Sequence, residues 1–160
     1  MTELTDLLTV LARHRGFLRH TVRGITEEQA RLTPTVSALS LGGLIKHVRT
    51  TEETWLRFAI GGAELMQSVQ ADWADGHRLL PEETLEAELK RYEETAARTE
   101  EVVATLDLDQ AHPLPVAPWF EQGASWSTRR VLLHLIAETS QHAGHADIIR
   151  ETIDGQKTMG

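Results

Sequence analysis

Apolar residues recur at intervals of three and four along most of the chain, which is the period of an amphipathic α-helix. Four segments are long enough to form core helices, and capping residues, glycine or proline mark their ends. They run from Leu4 to Val22, from a cap at Ser40 to Gly61, from Pro81 to Leu106, and from a cap at Ser127 to Gly155. The pattern therefore predicts an all-α fold, a four-helix bundle with short extra helical turns.

The segments between these helices are shorter and less regular. Thr26 and Gln29 have the spacing of a capping box, which predicts a short helical turn closed by Pro34. A weaker apolar pattern in the middle of the chain favours a short helix before Trp73 and His77. We predict no strand, because no run alternates apolar and polar residues with enrichment in β-branched side chains.

The longest segment without periodicity covers residues 107–126 and contains three prolines. Long loops before a core helix are frequently lids or binding segments. This loop carries Trp119 and ends at Trp126, and together with Trp55 these indoles are predicted to line the core or the wall of a pocket.

Composition and charge narrow the possible functions. The 160 residues are 41% hydrophobic and 25% charged, which fits one globular domain over residues 1–160. We expect a cytoplasmic protein that does not enter the membrane, because the chain shows neither a long uncharged apolar run nor a secretion signal. A net charge of −8 disfavours nucleic acid as a partner. The absence of cysteine leaves only nitrogen and oxygen ligands for any metal.

The last predicted helix carries its titratable side chains on one strip. At about 100° per residue, His134, Glu138, His142 and His145 fall at roughly 0°, 40°, 80° and 20° around the helix axis. Glu138 and His142, at i and i+4, have the spacing of one edge of a metal site. His47 is the best third ligand, because it is the only histidine on the apolar stripe of another long helix. Two imidazoles and a carboxylate suit zinc, nickel or iron.

Each of these residues also has an ordinary structural alternative. Glu138 and His142 could form a hydrogen-bonded pair in the core, and His47 could be an isolated core histidine. His142 and His145, at i and i+3, are a rival pair of ligands. A structural or ligand-orienting role is favoured for His134, whereas His145 could be a ligand, a donor to a ligand or a proton shuttle. The remaining histidines have no partner at a useful spacing and are predicted to lie at the surface; they are His14, His20, His77 and His112.

Two segments together resemble a known family. They are SLGGLIKHVRTTEETW (Ser40 to Trp55) and WSTRRVLLHLIAETSQHAGHADIIRETIDG (Trp126 to Gly155), which are similar to the two signature regions of the DinB/YfiT-like superfamily. Within it, the chain closely resembles the DUF664 branch and actinobacterial proteins described as mycothiol S-transferases. The resemblance covers nearly the whole chain, and it implies an up-down-down-up bundle that is frequently a homodimer.

By position, the resemblance implies that His47, Glu138 and His142 bind one divalent metal ion. Many members have histidine where this chain has Glu138, whereas the mycothiol-dependent maleylpyruvate isomerase branch has glutamate. Glu138 makes this a site of two histidines and one carboxylate, and we expect Zn²⁺ there, with Ni²⁺ or Fe²⁺ as alternatives. The resemblance further implies a low-molecular-weight thiol such as mycothiol as cosubstrate.

The expected activity is that of a metal-dependent thiol S-transferase, in which the small-molecule thiol is activated as its thiolate and attacks an electrophile. His145 is the candidate base for the thiol proton, and Trp119 and Trp126 are candidates for shielding the bound thiol from water. The alternative is a non-catalytic metal-binding protein of the same fold, with a role in stress or in binding.

Overall fold

The computed structural model describes residues 2–69 and 74–158 of the chain. Its elements are α1 (Glu3–His20), α2 (Glu27–Arg31), α3 (Leu41–Gln67), α4 (Leu85–Val103), β1 (Ala111–Pro113), β2 (Ser125–Ser127) and α5 (Thr128–Asp154). The four long helices confirm the predicted all-α bundle. Among the helices in these ranges, none combines the length and the apolarity that a bilayer crossing requires.

Side-chain caps fix the helix ends at several predicted positions. The hydroxyl of Thr26 accepts from the backbone N–H of Gln29, and the Gln29 side chain accepts from the backbone N–H of Thr26, which completes the capping box of α2. Ser40 and Ser127 accept hydrogen bonds from backbone N–H groups in the first turns of α3 and α5. These contacts satisfy donors that a helix start otherwise leaves without a partner.

Helices α1 and α5 run parallel. Arg129, at the start of α5, forms an ion pair with Glu3 at the start of α1. Near the other end, the buried guanidinium of Arg150 donates to the carbonyls of Thr21 and Arg23, just beyond α1. The last helix therefore closes both ends of the first.

Helices α3 and α4 also run parallel to each other. Arg49 pairs with Glu88 in the early turns of the two helices, and Glu52 accepts a hydrogen bond from Thr99 further along both. The start of α3 lies beside the later part of α5, and its middle lies beside the start of α5, so these two helices are antiparallel. The long helices are thus arranged up, down, down and up, as the resemblance implied.

Two apolar clusters fill the bundle, and a buried polar layer separates them. One cluster is built around Leu44, Tyr92 and Ile149, and the other around Trp55 and Leu132. Along their helices, Arg15, Glu52, Thr139 and the pair Thr95 and Thr99 fall between members of the two clusters, whereas Glu88 lies between Leu85 and Tyr92 of the first cluster. The layer contains Arg15, Arg49, Glu52, Glu88, Thr95, Thr99 and Thr139.

The start of α4 differs from the prediction. The helix begins at Leu85 rather than at Pro81, with Thr84 as its N-cap. Residues 81–83 form a turn instead, because the carboxylate of Glu83 accepts from Lys46 Nζ and from the backbone N–H of Leu80, both at 2.8 Å. The contact of Glu83 with Lys46 on α3 therefore overrides the helix start predicted from Pro81.

The predicted end of α3 is a break rather than a stop. Gly61 and Gly62 depart from helical dihedral angles, and Gly62 has a φ of +71°. A short helical segment then continues to Gln67, in the region where a short helix was expected. Trp73 lies outside the described residues.

The loop before α5 contains a short hairpin, so the prediction of no strand is wrong. Strands β1 and β2 pair antiparallel, with His112 opposite Trp126. Three residues per strand are too few to show an alternating pattern. The ring of His112 lies against Gly62, where a Cβ atom would be 3.2 Å from Nδ1. The hairpin is therefore seated on the break in α3.

Candidate metal centre

His47, Glu138 and His142 lie together between α3 and α5, as predicted. One possible ligand atom from each residue lies within 4.8 Å of the other two, and no other such group of histidine and acidic residues occurs in the described part of the chain. Oε2 of Glu138 is 3.5 Å from Nε2 of His142 and 3.7 Å from Nε2 of His47. The three side chains are between 13% and 29% exposed, so the cluster is partly buried but open to solvent.

The spacing fits a shared cation better than direct pairing. A charge-assisted hydrogen bond between imidazole and carboxylate would bring the heavy atoms to about 2.7–2.9 Å. Two ligands bound to one tetrahedral ion at about 2.1 Å lie about 3.4 Å apart, which is close to the observed 3.5 and 3.7 Å. The donor set therefore fits a divalent transition metal held by three protein ligands.

The electrostatics of the cluster also accommodate a cation. Contact with His142, and secondarily with His47, holds the pKa of Glu138 well below its usual range, although partial burial opposes the shift. The carboxylate is consequently ionised at neutral pH, and it faces two imidazoles whose charge depends on bound protons. Either those protons or a metal ion can balance its charge.

His145 contacts His142 on the side of its ring that faces away from Glu138. Its Nδ1 lies 3.2 Å from Nδ1 of His142, one turn earlier on α5. If His142 binds a metal through Nε2, its Nδ1 carries the proton and donates to His145. Of the roles predicted for His145, this contact corresponds to a partner that orients a ligand.

His77 is the neighbour that the sequence pattern missed. Its side chain is exposed, as predicted, but it has a partner: its ring stacks on that of His47, with centroids 3.9 Å apart and planes inclined by 21°. Partial burial and the nearby His47 and His142 lower the pKa of His77. A signal for this contact is present in Gly42 and Gly43, because two glycines in the first turn of a helix allow another backbone to approach closely.

An aromatic cluster lies one helical turn from Glu138, towards the start of α5. The indoles of Trp55 and Trp126 stack with centroids 4.7 Å apart, and His134 meets both rings edge-on at 4.8 and 5.1 Å. Burial lowers the pKa of His134, and the charge of Arg130 lowers it further, against an opposing contribution from Glu138. These contacts support a structural role for His134, and they show that Trp126 packs against the second apolar cluster.

The other predicted aromatic residue lies further out. Trp119 is 69% exposed, and its ring centroid is 6.2 Å from that of Phe120. A cavity of about 320 Å³ lies within the loop itself, between Leu114 and Gly123, and none of the three cluster residues lines it. Shielding of the cluster by Trp119 would require this loop to move and stays a prediction.

The remaining histidines have no contact with the cluster. His20 is exposed, as predicted, whereas His14 is partly buried and packs edge-on against Phe17. His112 differs, because it is partly buried against Phe58 and the break in α3.

Comparison with known proteins agrees with this architecture. A conserved protein from Enterococcus faecalis, known from its crystal structure, is similar to the chain with a TM-score of 0.71 at 15% sequence identity, over 98% of this chain and 99% of that chain. At that identity, the likeness shows the fold alone. No protein with a curated description matches the chain significantly.

A family model described as mycothiol-S-transferase matches residues 6–155. The match includes α3, α4, α5, all of α1 except its first three residues, and the three clustered residues. The chain therefore belongs to the mycothiol S-transferase family, of the DinB/YfiT-like type.

Proposed function

We propose that the protein is a metal-dependent S-transferase that joins a low-molecular-weight thiol, such as mycothiol, to a small electrophile. The observation that carries the proposal is the meeting of His47, Glu138 and His142 at metal-ligand spacing, in a chain of this family. These three residues would hold the ion, with Zn²⁺ preferred and Ni²⁺ or Fe²⁺ as alternatives. Bound there, the ion would supply a Lewis acid that lowers the pKa of a thiol from its ordinary value of about 8.5.

The residues around the cluster have supporting tasks. His145 fixes the tautomer of His142 through the contact between their Nδ1 atoms, so that Nε2 is free to face Glu138. The stacked indoles of Trp55 and Trp126 form an apolar wall one turn away and exclude water from that side. The proposed site would thus prepare the sulfur at the polar cluster, and the electrophile would approach beside the apolar indoles.

In the transfer, the thiol loses a proton and the electrophile loses its leaving group. The S–H bond of the thiol breaks, and its proton passes through solvent to a base, for which His145 is the candidate. Nδ1 of His145 takes up this proton only while it is not accepting from Nδ1 of His142, so its two roles alternate. The sulfur lone pair forms a bond to the electrophilic carbon. The bond from this carbon to its leaving group breaks, and the leaving group departs with the electron pair.

Turnover with a defined thiol and electrophile tests the proposal. Purified protein loaded with Zn²⁺ is mixed with mycothiol and 1-chloro-2,4-dinitrobenzene, and formation of the thioether and release of chloride are followed. We expect one ion per chain and turnover that disappears after chelation and in H142A. The matched control is H20A, which removes an exposed imidazole on α1 and should retain full activity.

The other outcomes decide between the alternatives. Binding of one ion without turnover for mycothiol, bacillithiol or glutathione would identify a metal-binding protein rather than a transferase. Equal turnover in H142A and wild type would overturn the assignment of the site. A thermal midpoint that chelator leaves unchanged would indicate a bundle whose histidines serve the fold alone.

A further inference from the structure

The two imidazoles of the cluster are supported differently. Nδ1 of His142 has a hydrogen-bond partner in His145. Within the described residues, the ring nitrogens of His47 make no hydrogen bond, and Nε2 lies 3.7 Å from the Glu138 carboxylate. Metal-binding histidines usually need a second contact that fixes the tautomer and the orientation of the ring. For His47, that contact has to come from something other than a hydrogen bond.

The ring of His77 covers one face of His47. The centroids are 3.9 Å apart and the planes are inclined by 21°, whereas His142 meets the edge of His47 at 4.7 Å and 83°. A stacked face and a perpendicular edge together restrict rotation of His47 about its Cβ–Cγ bond. Because that rotation decides which ring nitrogen points at Glu138, His77 acts on the orientation of the ligand.

The backbone of His77 reaches this position only because the start of α3 has no side chains there. A Cβ atom on Gly43 would lie 1.8 Å from the carbonyl oxygen of His77, and one on Gly42 would lie 2.4 Å from Cδ1 of Leu79. The separation at Gly43 cannot be relieved by a side-chain rotation, since it involves the backbone of His77. The two glycines therefore form a notch that admits residues 77–79.

A charged side chain holds the same segment in the notch. Lys46, the residue before His47, donates from Nζ to the carbonyl of Arg78 at 3.1 Å and to the carboxylate of Glu83 at 2.8 Å. The lysine is 8% exposed, so these contacts are largely shielded from water. The segment is thus fixed on both sides of the stacked ring, by a steric fit and by a buried ammonium group.

We propose that His77 is a positioning residue for His47: seated in the Gly42–Gly43 notch, its ring holds the His47 imidazole in the orientation that presents Nε2 to Glu138 and His142. This inference rests on the proposed metal site, and it assigns to residues 77–79 a part in building that site. His77 acts through ring contact and is not itself a ligand. A phenyl ring of similar size and shape should therefore replace it.

The test compares H77A, H77F and the control H20A in the full chain. Zn²⁺ affinity is measured by isothermal titration, and ligand geometry is followed through the visible absorption of bound Co²⁺. An aromatic stack contributes about 0.5–1.5 kcal/mol, so H77A should bind Zn²⁺ up to roughly 10-fold more weakly, with a changed Co²⁺ spectrum. H77F should restore both values to within about 2-fold, and H20A should leave them unchanged.

A second measurement separates this inference from the proposed function. In metal-free protein, NMR of the His47 ring should show one orientation in wild type and H77F, and averaging between orientations in H77A. If wild type binds no ion but this averaging appears, the positioning role stands and the metal function falls. If wild type binds Zn²⁺ and H77A binds equally well, the positioning role is overturned. Failure of H77F to restore binding would also overturn it, because it would make His77 a ligand through nitrogen.

The notch provides an independent route to the same result. G43A leaves His77 in the chain but forces its backbone away from α3, and it should weaken Zn²⁺ binding as H77A does. Combining G43A with H77A should weaken binding no further if both act through the stack. An additive loss would show that the two residues act separately and would contradict the inference.

Discussion

The bundle contains two polar clusters in which carboxylates between helices have different kinds of partner. In the buried layer between α1, α3 and α4, Glu52 accepts from Nε of Arg15 at 3.1 Å, and Glu88 accepts from Nε of Arg49 at 2.8 Å. Both carboxylates are at most 1% exposed. Between α3 and α5, by contrast, Glu138 faces two imidazoles at 3.5 and 3.7 Å and is 29% exposed.

The difference shows how a structural charge pair can be told from a binding site. A guanidinium is always charged and meets a carboxylate through fixed donors, so the buried layer is complete within the chain. The imidazoles beside Glu138 are charged only when they carry protons, and their distances leave room for an ion. The first cluster should therefore determine the stability of the fold, and the second should determine what the protein binds.

The largest effect on stability is expected for E52Q. Loss of this charge leaves Arg15 buried with only Glu100, which is 50% exposed, as a partner. Breaking one side of a buried ion pair costs about 3–5 kcal/mol, so the free energy of unfolding should fall by that amount in urea denaturation. Zn²⁺ affinity, measured where the variant is folded, should not change.

The control is E101Q, on the exposed face of α4, which should alter stability by less than about 0.5 kcal/mol. If E52Q lost less than about 1 kcal/mol of unfolding free energy, the buried layer would not determine the stability of the fold.

E138Q should give the reciprocal result. The amide is isosteric with the carboxylate but uncharged, so Zn²⁺ affinity should fall by more than about 100-fold, beyond the effect of losing an outer contact. The free energy of unfolding of the metal-free protein should change by less than about 1 kcal/mol, because the cluster is partly exposed. Isothermal titration and urea denaturation measure the two quantities. Retained affinity in E138Q would remove the distinction between the clusters.

A smaller effect is expected at His134, which packs against Trp55 and Trp126 and is a member of neither polar cluster. Burial lowers its pKa from an ordinary 6.5, so the unfolded chain binds this proton more readily than the folded chain. The contribution to stability is therefore present above about pH 6.5 and is lost as the pH falls towards the folded-state pKa.

In H134F, which keeps a ring against Trp55 and Trp126, this part of the pH dependence should disappear. Urea denaturation of metal-free protein between about pH 7 and pH 5 checks it, with the difference between wild type and variant as the signal. Parallel stability curves for the two proteins would mean that folding does not change the pKa of His134.

Local pattern predicted those parts of the site that lie on regular helices. Glu138 and His142 share a strip because they are four residues apart, and His47 faces them because it lies on a stripe that must be buried. The position of His77 depends instead on the notch at Gly42 and Gly43, which is a contact between segments far apart in sequence. No periodicity in one segment contains that information.

Contacts between distant segments also explain where the prediction of the fold from sequence was wrong. Proline predicted the start of α4, but Lys46 draws Glu83 towards α3, and the helix begins after that contact. The hairpin of β1 and β2 depends on the fit of His112 against Gly62 and not on β-propensity. In both regions, a tertiary contact overrides a weak local preference.

The contact of Arg150 with the end of α1 bears on when the core can close during synthesis. Arg150 reaches back 129 positions to the carbonyl of Thr21, so α1 lacks its parallel neighbour until the last helix has left the ribosome. During elongation, α1 cannot bury its apolar stripe completely, and chaperones can bind it. Closure of the core therefore waits for the synthesis of α5, and a ribosome stalled before α5 should hold a nascent chain that proteases cleave readily.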